Sequence, residues 1–231
     1  MGLLDFLTRI RSLEQACEAA MAFADEGYWI ALQSEHDLNA DQLHRASIAL
    51  QSAGIEGVSD ICLPVESMPD ATWAMTPELG WVFTGTELAA LDPSLLTQLG
   101  AFQGLASLTR SAALRLTETD CRDADSGRIQ LIVGEARRSD RAFYPSVMEV
   151  DKSYVRCAKA LLGNSSAPSF ATADDRHIEI IRALALRLGR EPGEYEFCLA
   201  MGRGENRQRT LRDSGEKVRI SIAFEMRENN D

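Results

Sequence analysis

A chain of 231 residues with 45% hydrophobic residues is long enough for one barrel-sized domain with a real core. Its formal net charge of −11, from 35 acidic against 24 basic side chains, argues against nucleic acid or an anionic membrane as partner, since both would repel it. Five widely separated cysteines (Cys17, Cys62, Cys121, Cys157, Cys198) form no CxxC pair, which excludes a disulfide framework and a zinc spacing and predicts reduced, mostly buried thiols.

The start, MGLLDFLTRIRSLEQ, carries charges within its apolar run, and no ~18 uninterrupted apolar residues occur, so a cytoplasmic protein without a membrane span is expected. Ser12 with Gln15 is a capping-box pattern, and Leu13, Cys17, Ala20, Met21 and Ala24 recur at helical spacing, which predicts a helix from Ser12 to about Asp25 ended by Gly27. YWIALQ (28–33) suits a buried strand, with Glu35, His36 and Asp37 following at its C-terminal end. The alternation then repeats: a helix near 40–52, a strand around 58–63, and WVFTGT (81–86). Asp92 and Pro93 supply an N-cap and first-turn proline for a helix with Leu95, Leu96, Leu99 and Phe102 before a strand AALRLT (112–117). IQLIV (129–133) is the fifth strand, followed by a helix over 147–162 and the short strand SFAT (169–172). Asp174 and Asp175 suit a helix N-terminus, Ile178, Ile181, Ala185 and Leu188 form its apolar stripe, and Gly189 stops it. YEFCLA (195–200), a helix ended by Gly215 and VRISIAF (218–224) complete the series.

Eight strands alternating with helices predict a single α/β domain over 1–231, a (β/α)8 TIM-type barrel with its site at the strands' C-terminal ends. An N-terminal helical segment occupies about 1–26, and EMRENND (225–231) reads as a disordered tail rather than a covering helix. A distorted barrel without its last helix leaves an apolar strip, which favours burial against a homo-oligomer, a protein partner or the N-terminal segment.

Short motifs in the second half carry a resemblance. LIVGEA, FYPSVMEVDKSY, ATAD, EFCLAMG and QRTL follow one another without gaps between about Ile129 and Phe224, and in that order and spacing they resemble the proline dehydrogenases. Gly134, Pro145, Asp151 and Tyr154 fall on motif positions, as do Thr172, Asp174, Glu196 and Arg219. The resemblance implies a barrel that binds FAD at its mouth and oxidises proline to pyrroline-5-carboxylate by hydride transfer. It implies catalytic roles for Glu35 and Glu87, and cofactor contacts from Arg122, Arg137, Thr172, Glu196 and Arg203. It also marks departures. The motif lysine is Val133, the histidine Ala173, the glutamine Cys198 and the tyrosine Met201, while a lysine of the second strand falls near Pro64. These departures predict a divergent member that has lost ordinary proline oxidation and binds a small ligand or a protein. The alternative is a genuine FAD-dependent oxidoreductase acting on proline or another cyclic amino acid or imine, with relocated cations such as Arg137, Arg138 or Arg203.

Other side chains have plainer readings. Arg203, Arg207, Arg209 and Arg212 could receive an anion, but interleaved Glu205 and Asp213 favour a solvated helix face. Glu35, His36 and Cys198 could serve a cofactor-free barrel enzyme, although no second cluster has a metal-ligand spacing and a buried structural cysteine is the commoner case. His44 and His177 lie on predicted helices and are expected at the surface. GRGEN (202–206) lacks a dinucleotide fingerprint and reads as a loop, and Trp73, Trp81 and Tyr195 as core or rim.

Overall fold

The computed structural model describes residues 10, 12–34, 40–55, 59–64, 80–84, 106–122, 128–164 and 167–224. In chain order the elements are α1 (Leu13–Asp25), β1 (Trp29–Ser34), α2 (Ala40–Ser52), β2 (Ser59–Pro64), β3 (Gly80–Thr84), β4 (Ala106–Ser111) and α3 (Thr117–Arg122). They continue with β5 (Arg128–Ile132), α4 (Val147–Gly163), β6 (Ser169–Ala171), α5 (Asp175–Arg187), β7 (Glu196–Ala200), α6 (Glu205–Asp213) and β8 (Lys217–Phe224). The eight strands pair in sequence order, all parallel, and β8 returns to β1 in a six-residue register from Trp29↔Arg219 to Ser34↔Phe224. The sheet is therefore the closed barrel that the alternation implied.

Strand side chains alternate between two environments. One set, including Ile30, Leu32, Phe170, Phe197, Ile220 and Ile222, faces outward into a continuous core with helix residues such as Ala16, Ala20, Tyr154, Leu161, Ile178 and Ile181. The other set faces the lumen, and there the described residues are largely polar, among them Gln33, Thr109, Gln130, Glu196, Arg219 and Ser221. Local signals place the helices: Ser12, Ser146 and Asp174 each accept a backbone N–H of the first turn, from Gln15, Glu149 and Arg176 respectively. Cys17, Cys121, Cys157 and Cys198 are buried and outside any disulfide, as expected of reduced core thiols.

The fourth strand is displaced from its expected place at 112–117. It is Ala106–Ser111, and the residues that follow form a turn in which Ala112, Ala113 and Leu114 are buried and Leu116 is exposed. Ala112 N–H donates to the Ile132 carbonyl, continuing the ladder for one rung, after which Leu114 N–H and the Thr117 hydroxyl both turn back onto the Ser111 carbonyl. Ala113 and Leu114 then pack with Phe143 and Val150 beneath the loop 133–146, a small second core that mimics a strand pattern in the sequence. Gly134 makes that packing possible. Its φ is +75°, and a Cβ there would lie 1.9 Å from Ser111 Oγ, so no larger residue fits between the ends of β4 and β5.

The β8–β1 seam is covered within the chain. Helix α1 lies across these two strands with Ala16, Cys17 and Ala20 buried, and Ile10 bridges to Phe224. The outer side chains Ile30, Leu32, Ile220 and Ile222 are fully buried, and of the covers expected for this strip the described residues show the N-terminal helix α1.

Candidate functional site

A cavity of about 480 Å³ opens at the C-terminal ends of the strands. Its described walls come from Gln33 of β1, Thr109 of β4, Gln130 and Ile132 of β5, Ala171 to Ala173 at the end of β6, Cys198 to Ala200 of β7, Arg203 in the following turn, and Ser221 of β8. Neutral hydrogen-bonding groups pair across the walls, Thr109 with Gln130 and the Ser221 hydroxyl donating to Gln33 Oε1 (both 3.3 Å). Arg203 is the one charged side chain among the described lining residues.

Toward the N-terminal ends of β7 and β8 the lumen is closed by charge. The Arg219 guanidinium donates from Nε and Nη2 to the two Glu196 carboxylate oxygens (2.9 and 3.1 Å) and from Nη1 to the Ile30 carbonyl (2.7 Å). Lys217 Nζ adds a third cationic contact to Glu196 at 3.3 Å and sits over the Trp29 ring. Such a fork-on-fork arrangement meets the donors and acceptors of both buried partners.

Beside the mouth, the end of β6 is tied to the outer helices. Thr172 Oγ1 accepts the Asp174 N–H at 3.2 Å and lies 3.4 Å from Nδ1 of His177 on α5. The imidazole stacks on the ring of Tyr154 from α4, with centroids 4.7 Å apart, and its Nε2 faces Asp151 Oδ1 at 3.4 Å. The other Asp151 oxygen is held by Arg176 at 2.6 Å. His177 is therefore 2% exposed, not the surface residue its helical position suggested, because α5 turns this first-turn residue inward against α4; His44 is exposed as expected. Burial pushes the Tyr154 hydroxyl above the usual phenol range, and its oxygen has no hydrogen-bond partner.

The structure separates the other residues nominated from sequence. Thr172 and Arg203 reach the cavity, as does Cys198. Glu196 is committed to Arg219 and Lys217. Arg137 lies over the Phe143 ring at 4.5 Å, and Arg122 bonds Glu118 on its own helix. Glu35, Glu87, His36, Asp37 and Trp73 lie outside the described residues. The arginine cluster divides: Arg207 pairs with Asp175 and Glu179, Arg212 with Glu26 and Asp213, and Arg203 alone of the four lines the mouth. Asp151 and His177 were not joined by sequence reasoning; the signal available was a histidine three residues after the N-cap Asp174, opposite an Asp-x-x-Tyr helix.

Comparison with known proteins places this barrel. No family model matches the chain. It is 28% identical over 120 residues, 51% of its length, to proline dehydrogenase 2 of Bacillus subtilis strain 168, and equally to that of Bacillus subtilis subsp. natto. The chain is a distant relative of the proline dehydrogenases. The match covers 40% of the length of those curated relatives. Among solved structures, proline utilization A from Bdellovibrio bacteriovorus superimposes with a TM-score of 0.78 at 15% identity over 94% of this chain and 30% of that one. Proline utilization A from Corynebacterium freiburgense gives 0.75 at 13% over 96% and 29%. At those identities the likeness is one of fold.

Proline dehydrogenases as a family depend on a flavin. A flavin dinucleotide brings a pyrophosphate, whose oxygens call for several cationic or N–H donors in a fixed cradle. The described mouth supplies one guanidinium amid neutral amides and hydroxyls, with Ala173 and Cys198 at positions where the family motifs carry a histidine and a glutamine. These residues do not by themselves fit the group.

Proposed function

We propose that this proline dehydrogenase relative binds a small polar ligand at the barrel mouth and does not carry out ordinary flavin-dependent proline oxidation. The observation that carries the reading is the mouth itself: an open cavity of about 480 Å³ whose described lining is uncharged apart from Arg203 and mixes the hydrogen-bonding Gln33, Thr109, Gln130, Thr172 and Ser221 with apolar side chains. Val133 and Met201 stand at two further family positions that hold a lysine and a tyrosine, so four donor-bearing side chains are replaced together while Gly134, Asp151 and Tyr154 keep the scaffold. Cavities of this size, with a few placed polar groups, suit small molecules.

The second reading, an FAD-dependent oxidoreductase acting on proline or a related cyclic imine, draws on the similarity to proline dehydrogenase 2 and on Arg203 as a relocated cation. One experiment separates them. Gently purified protein should lack absorbance near the flavin bands, show no change on titration with FAD, and reduce no dye in the presence of proline. A yellow preparation that reduces dye with proline would establish the second reading in place of the first.

A further inference from the structure

We propose that His177 is a positioning residue which, backed by Asp151, turns the Thr172 hydroxyl so that it offers the mouth cavity a lone pair and thereby selects a ligand bearing an N–H or ammonium donor. This rests on the reading of the mouth as a ligand site and adds the polarity of one of its walls.

Asp151 is fixed from the far side, its Oδ2 taken by Arg176 at 2.6 Å, which leaves Oδ1 toward the imidazole. Nε2 of His177 is buried and makes no hydrogen bond among the described residues; Asp151 Oδ1, at 3.4 Å, is the charged acceptor it faces. An ionised carboxylate only accepts, so the ring proton belongs on Nε2, and Nδ1 is then an acceptor. Opposite Nδ1, at 3.4 Å, is Thr172 Oγ1, which must donate its single proton there. One oxygen lone pair takes the Asp174 N–H at 3.2 Å. What remains on Oγ1 is an acceptor, and Thr172 lines the cavity. The Tyr154 ring against the imidazole keeps the histidine from rotating out of this chain of contacts. Two outer helices thus decide how one hydroxyl just past the end of β6 is presented, much as a carboxylate behind a histidine sets its tautomer elsewhere in protein chemistry.

The test reads the tautomer first. With only three histidines in the chain, nitrogen-15 ring spectra assign His177 by its loss in His177→Asn. The expected signature is a proton fixed on Nε2. Pyrrolidinium, which has N–H donors, is then titrated against tetrahydrofuran, a ring of similar size that only accepts, while the Thr172 methyl signal is followed. Pyrrolidinium should bind with a preference of about tenfold, the effect of roughly one hydrogen bond. His177→Asn, which can put an amide oxygen where Nδ1 stood, should keep most of that preference; His177→Leu should abolish it, with thermal melts confirming that both variants fold. A proton on Nδ1, an equal or stronger response to tetrahydrofuran, or no response to either probe would overturn the inference. Flavin absorbance is blind to all three outcomes, so failure here and failure of the functional reading are told apart.

Discussion

Arg219 is 1% exposed, and its charge is tolerable in the lumen because Glu196 and the Ile30 carbonyl meet its donors. A buried pair of this kind contributes little net stability over an apolar plug, but removing one partner strands the other. Glu196→Gln should therefore lower unfolding stability by roughly 3 kcal/mol in urea titrations, while a paired replacement of both residues by apolar side chains should recover much of that loss. A Glu196→Gln variant as stable as the parent would show that the guanidinium finds another partner. Both residues stood out in the sequence as motif matches, yet their mutual contact was not legible there: it joins the neighbouring strands β7 and β8 diagonally, the register pairing Glu196 with Lys217 and Cys198 with Arg219.

At the scale of elements, α3 is a single short helix whose hold on α4 is polar at one edge and thiol-lined at the other. Cys121 and Cys157 share a hydrogen bond that, with burial, pushes the Cys121 thiol up. Glu118 receives Arg156 of α4 at 2.8 Å and Arg122 of its own helix. The Arg156 hydrogen bond, outweighing burial, holds the Glu118 carboxyl below the usual glutamate range. A lowered carboxyl stabilises the fold above its unfolded value and loses that contribution as pH falls through the folded one. Arg156 is half-exposed, so solvent screening limits the effect. Glu118→Gln should cost about 0.5–1 kcal/mol near neutral pH, with the difference from the parent shrinking as pH falls below the usual glutamate range, as followed by urea denaturation from neutral to acid pH. The helix expected after Asp92 lies outside the described residues and α3 begins where a strand was expected, but the other five helices and seven of the strands were legible because their periods and caps agree with their burial. The fourth strand was not. Ala113 and Leu114 are apolar for the sake of the small core with Phe143 and Val150, and Ala112 belongs to the main core, so the run of buried apolar residues could not be told from a strand. His177 failed in the same way: helical position suggests a face, but which face meets α4 is set by packing.

For the whole molecule, closure depends on small residues in α1. Ala16 and Ala20 are fully buried where the helix crosses β8 and β1, leaving no room for a larger side chain. Ala20→Leu should overpack the seam by about 1–3 kcal/mol, and a calorimetric melt should show a lower transition temperature. An unchanged melting temperature would mean that α1 can lift without loosening the barrel. The described walls of the cavity at the mouth come from six strand ends and one turn, which explains why its character could not be read from any single motif: each strand end contributes one to three residues, and the barrel assembles the sum.

The seam has a further consequence in time. Arg219 and Ile30 are 189 positions apart, so the last rungs of the barrel form only after nearly the whole span between them has been translated and threaded into place. Contacts of such long range raise the entropic barrier to closure and slow the search. During synthesis β1 and α1 emerge first and wait with their apolar faces unpartnered, so the nascent chain is most vulnerable to aggregation before β8 arrives.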